Sequence, residues 1–104
     1  GEPVRGLVRY AGDKYFSAAP GALGNPWFVT SLWSVQFRLS RAENREDLES
    51  IAAEISRIAS FALPSGVLSE QLDPRTGAQL SIAPLVWSHA ELINTLLDLA
   101  KADT

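Results

Sequence analysis

Cysteine is absent from the 104 residues, so no disulfide framework supports the chain and no thiolate zinc site can form. Histidine occurs once, at His89, which excludes a multi-histidine metal centre. Glycine-rich phosphate loops and paired-carboxylate metal motifs are also missing, and no cofactor is expected. Basic residues are few and scattered: nine of them, from Arg5 to Lys101, form no stripe, and the formal net charge is −3. A phosphate backbone would find no track here, so nucleic acid is not an expected partner. No stretch reaches the roughly 18 unbroken apolar residues of a membrane helix, and the N-terminus lacks the charged-then-apolar order of a signal peptide. With no membrane segment expected, the chain reads as one small domain or a piece of a larger protein, and its location stays open.

What is present is apolar and helical. Residues 1–24 carry five of the seven glycines and two of the six prolines among Tyr10, Tyr15 and Phe16, and read as a long irregular segment. Its length and mixture of charge with aromatic rings point to a binding surface. Asn25-Pro26 has the form of an N-cap followed by proline at the first helical position, predicting a helix to about Ala42. Trp27, Phe28, Val29, Leu32, Trp33, Val35, Phe37 and Leu39 surround that helix rather than line one face, as in a helix enclosed on several sides. Trp33 reads as core. A second helix places Leu48, Ile51, Ala52, Ile55, Ile58, Ala59 and Ala62 at three- and four-residue steps, with Glu49, Glu54 and Arg57 opposite, and ends at Pro64-Ser65-Gly66. Loop chemistry then runs from Val67 to Ala83, with Asp73-Pro74-Arg75-Thr76-Gly77 as a turn. A third helix, opened by Pro84 and reaching Ala100, again distributes its apolar residues over more than one face.

Three helices cannot enclose two of their own number, so the missing walls must come from the rest of a larger polypeptide or from self-association. Alternating inner and outer helices suit a double-layered α/α barrel.

Three stretches carry a resemblance. Arg9-Tyr10-Ala11-Gly12-Asp13-Lys14-Tyr15 with Gly24-Asn25-Pro26-Trp27-Phe28 resembles the substrate loop of the glucoamylases, glycoside hydrolase family 15. Leu68-Ser69-Glu70-Gln71, with Asp73 and Gly77, resembles that family's catalytic-base loop. Leu80-Ser81 with Trp87-Ser88-His89-Ala90 resembles the start of its last barrel helix. Order and approximate spacing match from Gly6 to Leu99, although Phe16 to Leu23 lengthens the first loop.

The resemblance implies an all-α chain, residues 1–104, forming the C-terminal part of an (α/α)6 catalytic domain: about three helices with long functional loops, an incomplete toroid. It implies an inverting hydrolase of the glucan 1,4-alpha-glucosidase type, acting on α-glucans or oligosaccharides, with Glu70 as general base and the general acid outside this chain. The isolated chain is expected to be inactive. Glu70 beside Ser69 and Gln71 would otherwise read as a solvated loop carboxylate. Arg9 is expected to donate to sugar hydroxyls, with Asp13 holding its charge. Tyr15 and Trp27 offer flat faces to sugar C–H groups, Trp27 reading equally as core, and Trp87 is expected to wall the site. His89 reads as a hydrogen-bonded structural residue. A trehalase or glucodextranase parent, and a non-catalytic carbohydrate-binding or helical assembly module, are the alternatives.

Overall fold

The computed structural model describes residues 6–9 and 24–102. Three helices carry the chain: α1 (Phe28–Ser40), α2 (Arg45–Ala59) and α3 (Val86–Ala102). Between α2 and α3 lies a short antiparallel ribbon, β1 (Gln71–Leu72) and β2 (Gln79–Leu80), paired Gln71 with Leu80 and Leu72 with Gln79. The chain is therefore predominantly helical, as the sequence predicts. No helix among the described residues is long and apolar enough to cross a membrane, and no cluster of three or more potential metal-ligating side chains occurs among them.

The second helix follows its sequence signals. Asn44 caps it by accepting from the Asp47 backbone N–H at 2.8 Å, while the Asp47 carboxylate accepts from the Glu43 N–H at 2.9 Å. Ile51, Ile55 and Ile58 are its buried residues, and the Glu54–Arg57 pair is bridged in two hydrogen bonds. These isoleucines meet Phe28, Leu32, Val35 and Leu39 of α1, together with Leu68 and Leu72, in a single core.

The first helix begins differently from the expectation. Its N-cap position is Trp27, with no side-chain cap bond, and helix starts at Phe28. Asn25 lies outside the helix and its side chain is used elsewhere. The third helix starts at Val86, two residues after Pro84, which follows a cis peptide bond. The loop after α2 also differs: its ends pair as a ribbon. Asp73 N–H bonds to Ala78 O, Gly77 N–H bonds to Asp73 O, and Gly77 supplies the positive φ of 76° that closes the turn.

The two helices expected to be enclosed leave large apolar surfaces open. In α1, Trp33 is 45% and Phe37 65% exposed, so Trp33 does not belong to the core formed by these residues. In α3 the buried residues are Ser88 and Thr95, whereas Val86, Trp87, Ile93, Leu96 and Leu97 are all exposed. Polar groups hold the α1–α3 seam: Gln36 Nε2 donates to Glu91 Oε2 at 2.8 Å and to Thr95 Oγ1 at 3.0 Å. Leu92 and Leu99 pack on the core beside these polar bonds, and the apolar outer faces are more than an independent helical hairpin would show.

Candidate active site

The site grows out of a short backbone ladder. Leu7 bridges to Trp27 and Trp27 to Gln71, both antiparallel, and Gln71 pairs with Leu80. Four segments, around Leu7, Trp27, Gln71 and Leu80, thus lie side by side. Trp27 N–H donates to Leu7 O at 2.9 Å, and Leu72 N–H to Pro26 O at 2.9 Å. The first segment comes in close: a Cβ added to Gly6 would stand 2.7 Å from Pro26 Cβ and 3.0 Å from Ser31 Oγ. Glycine is required there for contact, since no larger residue fits without displacing the proline.

Glu70 sits at one edge of the ladder, half-buried. Its backbone C=O accepts from Phe28 N–H at 3.3 Å and its N–H donates to Ile82 O at 3.0 Å. Its carboxylate is held through one oxygen: Oε1 accepts from Gln71 Nε2 at 2.8 Å and from Ser81 Oγ at 3.0 Å. Among the described residues Oε2 takes no hydrogen bond. Ser81 has a φ of 67°, a left-handed conformation unusual for a residue with a Cβ, and its hydroxyl contacts the carboxylate. Behind Glu70, Gln71 is fully buried and its Oε1 accepts from Asn25 Nδ2 at 3.0 Å.

The start of α3 braces the loop leading to Glu70. Leu85 N–H donates to Leu68 O at 3.0 Å and the buried Ser88 hydroxyl donates to Ser69 O at 2.8 Å. His89 Nε2 accepts from Leu68 N–H at 3.0 Å. That bond makes His89 a hydrogen-bonded structural residue, with Nε2 as the acceptor. Ser69 Oγ closes the set on Gln71 O at 2.8 Å.

Arg9 and Trp27 come together: the Arg9 guanidinium carbon lies 4.3 Å from the centroid of the Trp27 ring. Trp27 is only 5% exposed and that face is covered by the guanidinium, while Arg9 itself is exposed. Trp87 lies at the start of α3, next to the buried Ser88. Its half-exposed ring meets Trp33 edge-on, with centroids 5.6 Å apart. Asp13 and Tyr15 lie outside the described residues. At the far end of the ribbon, Asp73 accepts from the Arg75 side chain and backbone N–H, which hold its carboxyl below the ordinary 3.8. The sequence did not reveal Ser81 as a partner of the Glu70 carboxylate or Asn25 as the partner of Gln71 behind it. Neither carries a local signal for its role, since Asn25 is a good helix cap by type and Ser81 is an ordinary loop residue.

Comparison with known proteins identifies the family. Residues 42–97 match the sequence profile of Glycosyl hydrolases family 15, just over half of the chain. An uncharacterized glycosyl hydrolase of Methanocaldococcus jannaschii is 30% identical over 96 residues, covering 84% of this chain and 14% of that protein. A trehalase of Mycolicibacterium smegmatis is 30% identical over 77 residues, covering 74% of this chain and 10% of that protein. The chain therefore spans about a seventh or less of the length of these curated relatives. No solved structure matches.

Proposed function

The chain belongs to glycosyl hydrolase family 15, and from that membership we propose that it is the C-terminal part of an (α/α)6 catalytic domain whose parent is an inverting α-glucoside hydrolase. Glu70 is the general base. The observation that carries this reading is the one-sided anchoring of its carboxylate, with both donors on Oε1 and Oε2 left open among the described residues. Inversion needs a carboxylate that removes a proton from water on one side of the sugar and an acid that protonates the leaving oxygen on the other, about 6.5–9.5 Å away. In this reading Oε2 takes the proton from water. The acid comes from a part of the parent beyond these residues.

Arg9 serves the sugar through its guanidinium N–H groups, and Trp27 serves indirectly as the platform beneath the guanidinium. Asp13, Tyr15 and Trp87 complete the proposed substrate-binding set. The substrate we favour is the non-reducing end of an α-glucan, as in a glucan 1,4-alpha-glucosidase. A second reading, trehalose, is favoured by the likeness to the mycobacterial trehalase.

The test is hydrolysis by the full-length protein of maltose, soluble starch and trehalose, with the anomer first released followed by NMR. Inversion requires the attacked sugar to appear first as β-glucose, accompanied in the case of trehalose by an equal amount of α-glucose from the leaving half. Glu70→Gln is expected to lower kcat by about 10²- to 10⁴-fold, the usual worth of acid–base assistance. Undiminished hydrolysis by that variant would exclude Glu70 as the base. The isolated 104-residue chain is expected to show no turnover on any of the three substrates.

A further inference from the structure

The Glu70 carboxylate is the end of a buried chain of amides. Asn25 is 1% and Gln71 0% exposed, and they are joined by the Asn25 Nδ2 to Gln71 Oε1 hydrogen bond across 46 positions of sequence. Gln71 Nε2 then donates to Glu70 Oε1. An ionised carboxylate only accepts hydrogen bonds, so Gln71 must turn its NH2 towards Glu70 and its oxygen away. That oxygen, wholly buried, then needs a donor, which Asn25 supplies. Were the Gln71 amide to turn over, its oxygen would face the carboxylate oxygen and its NH2 would face the NH2 of Asn25. Two repulsive contacts would replace two bonds.

We infer that Asn25 is a positioning residue for the base: it fixes the orientation of the Gln71 amide, which in turn holds Oε1 of Glu70 and aims Oε2 outward. This rests on the assignment of Glu70 as base. Asn25 itself is buried behind Gln71, on the segment just before α1, and acts through its neighbour. The arrangement also links two parts of the site: Asn25 lies two residues before Trp27, which carries Arg9. One short segment thus positions both the proposed sugar-binding cation and the proposed base.

The experiment is a set of variants in the full-length protein, assayed on whichever of maltose, starch or trehalose it hydrolyses. Asn25→Leu keeps the branched shape of the side chain and removes its donor, whereas Asn25→Asp keeps its size and replaces the donor with an acceptor. Each is expected to lower kcat about tenfold with KM changed less than about twofold, because the base is loosened while sugar contacts persist. Gln71→Met should do the same. In the Gln71→Met background, either change at position 25 should lower kcat no further, because the link through which Asn25 acts is already gone. Thermal unfolding of each variant, with kcat expressed per folded molecule, separates this from simple destabilisation. An unaltered kcat in the folded Asn25 variants, or losses that multiply in the double variants, would overturn the inference while leaving Glu70 as base. Retained hydrolysis by Glu70→Gln would instead overturn the underlying assignment.

Discussion

His89 braces the loop of the proposed site through one hydrogen bond. Its Nε2 accepts from the Leu68 N–H, two residues before Glu70. Replacing it with leucine leaves that amide without its acceptor and should cost about 1–3 kcal/mol, read as a lowered denaturation midpoint of the full-length protein. Asp73 makes a second prediction, concerning pH. Because Arg75 holds its carboxyl below the ordinary value, the folded state binds that proton less readily than the unfolded chain. The associated stability is complete above the unfolded value and is lost as the pH falls through the lower folded one. Asp73→Asn should therefore flatten the fall of the urea midpoint on acidification below about pH 4, because the residue no longer titrates. At this scale residue type was a mixed guide. Asn25 has the composition of a helix cap, but its amide is engaged by Gln71, and nothing local to either residue announces the other.

Among the elements, α2 was the most legible. Its isoleucines recur with the helical period, its polar face is continuous and Asn44 caps it, so local and tertiary preferences agree. Asn44→Ala should cost about 1 kcal/mol in denaturant unfolding, with little change in the site, because α2 carries none of the proposed site residues. The ribbon was invisible beforehand because its strands have two residues each, too few to show an alternating pattern. It forms because the Asp73–Gly77 turn brings Leu72 and Gln79 together. The ladder beside it depends on the close approach at Gly6. Gly6→Ala would push its Cβ against Pro26, and should destabilise the protein by about 1–3 kcal/mol while weakening substrate binding through Arg9. A rise in KM together with a lower unfolding midpoint is the expected pair of readings.

At the level of the molecule, the apolar outer faces of α1 and α3 are the dominant fact. Trp33, Phe37, Trp87, Ile93, Leu96 and Leu97 are all at least 45% exposed, whereas the seam between the helices contains Gln36, Glu91 and Thr95. Such faces are normally covered in a folded protein, and in the proposed reading the other helices of an (α/α)6 barrel cover them. The isolated chain is expected to self-associate, and sedimentation velocity should show species larger than 11.3 kDa. A stable, soluble monomer would contradict the proposed burial of these faces.

By itself the sequence determined the helical class, the one-sided character of α2 and the excess of apolar surface on α1 and α3, because periodicity and composition act within a few turns of one helix. Ordered motifs then identified the family and pointed to Glu70. Only the tertiary structure decided which oxygen of Glu70 is held, that Arg9 lies over Trp27, and that Asn25 and Ser81 stand beside the site. Those relations join residues from 1 to 46 positions apart, and their directional contacts have no periodic trace along the chain.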